Sequence, residues 1–259
     1  MDSTADAHPV LSEYFLPYCE IMGRAKDINE RKVVALYPKL MVAFLIHVVV
    51  FLFATTESDA SQLQSGNGLS PFDELKKGGY IIYLRHGEAT VGQDLPDLNF
   101  NNCSTQRNLS DNGREQARAV EALFSKKQIP IQYPIISSPY CRARETAGII
   151  FGNQNIVVNP VLASIEKLKI EDYPADKKQQ IVRELTKIFE TPPALGTNSV
   201  IVAHTFPPNV ALGEIPNLGA VILKPKGMNQ GYEIIHRFNI EDLNKLSSGA
   251  YKPKTVSRQ

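Results

Sequence analysis

Tyr80-Ile81-Ile82-Tyr83-Leu84-Arg85-His86-Gly87-Glu88 decides the reading of this chain. It opens as a short apolar run with the character of a strand buried on both faces. It then delivers an arginine and a histidine side by side. Open α/β sheets collect ligands in the crevice beyond the carboxyl ends of their strands. Two further apolar runs end in a similar way. Tyr133-Pro134-Ile135-Ile136 leads into Ser137-Ser138-Pro139-Tyr140-Cys141-Arg142, and Val200-Ile201-Val202-Ala203 leads into His204-Thr205. A doubly wound sheet brings the three ends to one rim, where Arg85, His86, Arg142 and His204 form a cluster suited to a phosphate.

Working outward, helices are expected between these strands. Ser70-Pro71-Phe72-Asp73 has the serine, proline and acid of a helix start, and Gly78-Gly79 close that helix. A long polar loop from Ala89 to Asn108 precedes a helix capped by Ser110, in which Ala117, Val120, Leu123 and Phe124 repeat at helical spacing. Tyr140 to Phe151 and Asp176 to Glu190 are further helices, and Asn155 to Val158 is a strand. Ala220 to Leu223 and Tyr232 to Phe238 form a hairpin. The alternation predicts an α/β fold: a three-layer α/β/α sandwich, with a mostly parallel sheet and helices on both faces. The domain is expected over 70–242, followed by a poorly ordered tail over 243–259.

The chain has 259 residues, enough for one such domain with sequence to spare. A formal net charge of +1 gives no support for a nucleic-acid partner. The surplus is N-terminal. Leu40 to Ala54 (LMVAFLIHVVVFLFA) is apolar apart from His47. It falls short of the ~20 residues that span a bilayer and suits the roughly 7–15-residue apolar region of a signal peptide. Arg31, Lys32 and Lys39 precede it, and Ser58-Asp59-Ala60 offers small residues for cleavage before Ser61.

Residues 1–60 are therefore expected to be an extension carrying a signal peptide or an uncleaved signal anchor, and 61–69 a linker. A buried helix is the remaining reading of the apolar run. The product would be periplasmic or secreted, with membrane association through residues 40–54 if the segment is kept. The acidic residues from Asp2 to Glu30 are unusual ahead of a signal peptide; a start at Met41 would remove them but leave Lys39 outside. Removal of 1–60 leaves Cys103 and Cys141. An even count in an exported chain favours a disulfide, with two free core thiols as the alternative.

Leu84-Arg85-His86-Gly87-Glu88, the block Ser137 to Ala147 (SSPYCRARETA) and the strand ending Ala203-His204 together resemble the histidine phosphatase superfamily, the phosphoglycerate-mutase-like proteins. The likeness runs from about Pro71 to Phe238. Cys103 to Ser110 (CSTQRNLS), with Gly113-Arg114 and Gln116-Ala117, is similar to an exported bacterial subgroup related to lipopolysaccharide-core heptose phosphate phosphatases. The resemblance implies that His86 is a nucleophile that becomes phosphorylated, that Arg85, Arg142 and His204 bind the phosphoryl group, and that no metal or other cofactor is used. It also places Cys103 and Cys141 around one pocket, where a bridge would pin the long loop.

Elementary chemistry agrees. Phosphoryl transfer needs positive charge on the equatorial oxygens and an in-line nucleophile. A histidine between guanidiniums is disfavoured as imidazolium and stays neutral and nucleophilic. Gln106, Arg107 and Glu88 are candidates to touch the substrate. An alkoxide leaving group needs a proton donor; at the places where the resemblance implies that acid stand Glu88, Glu166, Glu171 and Glu214, and Glu166 is favoured. His204-Thr205 departs from the His-Asp of the acid-phosphatase branch. His236 alternates with Ile234 and Phe238 and reads as structural. The expected activity is hydrolysis of a small phosphorylated molecule, an ester or an anhydride. A binding protein that has lost catalysis is an alternative, and so is a phosphomutase, although the span between Thr146 and His204 leaves little room for a cover that excludes water.

Overall fold

The computed structural model describes residues 71–252; the extension, the expected signal segment and the linker lie outside them. Helix α1 (Pro71–Glu74) passes into a 3-10 turn (Leu75–Lys77) and then strand β1 (Ile81–Arg85). The long loop contains one further 3-10 turn (Cys103–Thr105) and ends at α2 (Asp111–Lys127). Next come β2 (Ile135–Ser137), α3 (Cys141–Phe151), β3 (Ile156–Val158), a run of 3-10 turns (Pro160–Lys169) and α4 (Ala175–Phe189). Strands β4 (Ser199–Ala203), β5 (Ala220–Pro225) and β6 (Tyr232–Phe238) lead to α5 (Ile240–Ser248).

The six strands lie in the order β3-β2-β4-β1-β5-β6. Strand β4 pairs in parallel with both β1 and β2, whereas β5 pairs antiparallel with both β1 and β6. Only β5 therefore runs against the rest. Period-two alternation divides the central strands between two cores. Ile82, Leu84, Val200, Val202, Ala220 and Ile222 join α2, α3 and α5 on one face. Ile81, Tyr83, Ile201, Ala203, Val221 and Leu223 join α4 and the Pro160–Lys169 turns on the other. This is the expected three-layer sandwich, and it explains why these strands are apolar throughout.

Register fixes the rim. Arg85 pairs with Ala203 across β1 and β4, and Ser137 pairs with Val202 across β2 and β4. The residues that follow, His86, Ser138 and His204, therefore leave the sheet side by side. The His86 N–H donates to Ala203 O at 2.9 Å and the Ser138 N–H to Val202 O at 2.9 Å, extending the ladder past the last paired residue. Two glycines let α2 approach this edge. A Cβ on Gly87 would stand 2.6 Å from Gly113 O, and one on Gly113 would collide with Glu88 O.

The expected tail is corrected over residues 243–252; residues 253–259 lie outside the described residues. Asn239 caps α5 in a reciprocal capping box with Asp242, and Leu243 and Leu246 are buried in the first core. The polar and basic composition beyond Asp242 hid a short amphipathic helix whose apolar stripe is only those two leucines and Ile240. Tyr251 continues the packing, its ring tilted against Phe238 at 5.8 Å between centroids and its hydroxyl 3.0 Å from His236 Nε2, which accounts for His236 structurally. Among the described residues, no helix is long and apolar enough to cross a membrane. Leu246→Ala should destabilise the protein by about 2–5 kcal/mol in urea unfolding; a dispensable tail would show no change.

Candidate active site

The tautomer of His86 is set by the backbone carbonyl of the next residue. Its Nδ1 lies 2.7 Å from Gly87 O, and a carbonyl only accepts, so Nδ1 carries the hydrogen and Nε2 keeps the lone pair. Arg142 Nε donates to that Nε2 at 3.2 Å. Arg142 stands in the first turn of α3, buried, with its guanidinium 4.1 Å above the centroid of the Tyr140 ring. Arg85, the last residue of β1, donates from Nη1 to Ile215 O at 2.8 Å. Its buried Nε has no hydrogen-bond partner among the described residues.

His204 is fully buried, and its ring centroid lies 5.3 Å from that of His86. The phenol of Tyr83, on β1, clamps its backbone: the hydroxyl donates to His204 O at 2.6 Å and accepts the His204 N–H at 3.1 Å. Ser138 Oγ sits 2.8 Å from Nε2. Glu166 Oε1 is 3.1 Å from Nδ1, but the approach is too oblique for a hydrogen bond.

Arg85, His86, Ala89, Arg107, Arg142, Glu166, Lys169 and Asn217 enclose a polar cavity of about 140 Å³. A larger hollow of about 690 Å³ is lined by the disulfide, Arg114, Arg144 and Glu145 and includes none of Arg85, His86, Arg142 and His204. Burial, chiefly, with Arg142, Arg85 and Lys169, holds the His86 imidazole well below its ordinary pKa, against the opposing pull of the Gly87 carbonyl. Burial is again the first cause at His204, followed by His86, Arg142, Lys169 and Arg85. Both rings are neutral at pH 7, which leaves His86 nucleophilic.

The expected residues divide cleanly. Arg85, His86, Arg142, Glu166 and Arg107 reach the cavity, with His204 behind them. Gln106 does not reach it: its Oε1 accepts the Cys141 N–H at 2.8 Å, capping α3, and its Nε2 donates to Asn99 O at 2.8 Å. Glu88 does not reach it either. Its two carboxylate oxygens take Ser110 Oγ and Asn112 Nδ2, both at 2.9 Å, where an anion suits the start of α2. Both residues are polar neighbours of the motif, and loop and helix termini claimed them first. Glu171 is exposed, and Glu214 lines a separate hollow with Arg237 and Asp242. Of the four candidate acids only Glu166 faces the cavity.

Three residues went unread. Lys169 follows Glu166 by three, the spacing that eclipses on 3-10 turns, and pairs with it at 2.8 Å. Asn217 lines the wall. Asp94, inside the polar loop, accepts from Arg142 Nη1 at 2.9 Å. The loop carrying Asp94 and Arg107 is tied down by the Cys103–Cys141 disulfide, whose Cα atoms lie 5.7 Å apart across a sequence separation of 38. On the chain-entropy account a loop of that length restricts the unfolded chain by roughly 3–4 kcal/mol.

Residues 81–214 match the family model of the histidine phosphatase superfamily (branch 1). The chain belongs to that superfamily. No curated protein matches the chain. Among solved structures it is similar to the protein histidine phosphatase SixA complexed with tungstate, at 13% identity and a TM-score of 0.40, over 63% of this chain and 99% of that one. It is also similar to phosphoserine phosphatase of Entamoeba histolytica in complex with 3-phosphoglyceric acid, at 19% identity and a TM-score of 0.39, over 62% and 96%. A structure of mycobacterial hydrolase 1 aligns at 18% identity and a TM-score of 0.39, over 61% and 97%.

Protonation gives a direct check. An unfolded histidine titrates near pH 6.5, while His86 and His204 are held below that in the fold. The unfolded chain therefore binds more protons in that window, and stability falls as pH drops below about 6.5 until the folded pKa values are reached. Imidazole NMR of the free protein should find both rings neutral at pH 6.5, with the Nδ1 hydrogen on His86. A ring half-protonated at that pH would contradict the site described.

Proposed function

We propose that this member of the superfamily is a phosphatase that hydrolyses a small phosphorylated substrate through a phosphohistidine on His86, without a metal. The observation that carries the proposal is the His86 Nε2 lone pair, turned toward Arg142 at the wall of a cavity that also holds Arg85, Arg107 and Lys169. A phosphoryl dianion there has guanidinium donors for its equatorial oxygens, and electrostatic preorganisation supplies most of the stabilisation. Arg142 Nε hands its hydrogen bond from the imidazole to a phosphoryl oxygen, which frees the lone pair. The Nε2–P bond forms as the P–O bond to the leaving group breaks, and the electron pair leaves on the ester oxygen. Glu166, whose carboxyl group faces the cavity, protonates that oxygen when it enters the cycle as the acid. In the second half-reaction Glu166 takes a proton from water, whose oxygen attacks phosphorus as the Nε2–P bond breaks; the electron pair returns to His86 and inorganic phosphate is released.

The Lys169–Glu166 ion pair favours a second reading of the leaving group. Lys169 engages Glu166 as a carboxylate, so a substrate whose leaving group departs without a proton, an anhydride or a phosphoramidate, also suits the site. The segment Cys103 to Ser110 supports a heptose phosphate among ester substrates by resemblance alone. The composition of Leu40 to Ala54 supports a place outside the cytoplasm.

His86→Ala should lose at least about a thousandfold in kcat on 4-nitrophenyl phosphate while keeping its fold, since the nucleophile itself is removed. Glu166→Gln separates the leaving-group readings. If Glu166 is the acid, hydrolysis of an alkyl phosphate falls about 100-fold or more while 4-nitrophenyl phosphate is nearly spared. Equal loss on both substrates would assign Glu166 to the water step. Full activity in His86→Ala would end the proposal.

A further inference from the structure

Arg142 is held by an anion that no step of this reaction uses. Asp94 Oδ1 and Oδ2 stand 2.9 and 3.3 Å from Arg142 Nη1, and Oδ1 also accepts the Arg107 backbone N–H at 2.8 Å. The Arg142 side chain is only 4% exposed and that of Asp94 24%. A guanidinium buried so deeply needs a counter-charge when the site is empty, and Asp94 is the carboxylate that pairs with it. Tyr140 below the guanidinium and His86 at Nε complete its fixation.

The same carboxylate acts on an arriving phosphate. Two anions then share one cation and repel each other, so each is held less tightly than it would be alone. Around the cavity, Arg142 is paired with Asp94 and Lys169 with Glu166; Arg85 and Arg107 have no ion-pair partner among the described residues. Two uncompensated positive charges remain, which match a single phosphoryl dianion. Without Asp94 the site would carry one more and would hold its product, inorganic phosphate, more firmly. Tighter ground-state and product binding brings no gain in the chemical step and slows turnover.

We propose that Asp94 is a positioning residue. It fixes the Arg142 guanidinium between His86 and Arg107, and its charge limits how tightly the site retains phosphate, so that product leaves. The inference rests on the reading of Arg142 as a phosphoryl ligand.

The test compares Asp94→Asn, which keeps size and removes charge, with Asp94→Glu, which keeps charge. Asp94 lies on the loop outside both cores, and thermal melting checks each variant; Asp94→Ser is the second neutral variant. Binding of inorganic phosphate is measured by calorimetry and as competitive inhibition of 4-nitrophenyl phosphate hydrolysis. The neutral variants should bind phosphate about ten-fold tighter, with kcat and KM both reduced, and Asp94→Glu should stay close to wild type. Phosphate affinity unchanged or weakened in a folded neutral variant would overturn the inference. So would a change confined to melting temperature, which is all that a purely structural role predicts. A wild-type protein that binds phosphate but hydrolyses no ester would sink the proposed activity alone, because calorimetry of the variants still decides the role of Asp94.

Discussion

The parallel pairing of β1 with β4 is the constraint on which the rest depends. With Arg85 opposite Ala203, the next residue on each strand is a histidine, and the two rings come within 5.3 Å of each other. A slip of one residue in β1 would turn Ile82 and Leu84 out of one core and into the other, away from Val200 and Val202. Burial on both faces therefore specifies the register, and the register specifies the site. Tyr83 strengthens the link, because its ring belongs to the second core while its hydroxyl clamps the His204 backbone.

Placing two imidazoles and three guanidiniums in so small a space carries an electrostatic cost, which the fold manages by pairing. Asp94 is set on Arg142, Glu166 on Lys169, and the histidines are kept neutral by burial and by the cations themselves. Neutrality also leaves His86 Nε2 able to attack. One set of charges thus reconciles the stability of the empty site with the chemistry proposed for it.

Much of this was legible in the residues. The strand ends announced themselves because apolar runs stop at Arg85-His86, Ser137-Ser138 and Ala203-His204, and the cysteine count pointed to the bridge that the fold contains. The loop was harder to read. Gln106 and Glu88 are polar and adjacent to the motif, as a ligand would be, yet one caps α3 and the other anchors the start of α2. Nothing in Val91 to Asn108 distinguishes Asp94 from Asp97, because partner choice there is decided by the tertiary course of the loop. Lys169 escaped because the Pro160–Lys169 segment is neither helix nor strand by periodicity. The final helix escaped because its apolar stripe is so short.

The central claim is a covalent bond between His86 and phosphorus. Rapid mixing with 4-nitrophenyl phosphate, quenching into alkali and peptide mapping tests it most directly. Phosphate on the peptide containing His86, stable in base, labile in acid and absent from His86→Ala, is the result this account predicts. Rapid turnover with no phosphate on any histidine, or phosphate carried on His204 instead, would contradict it.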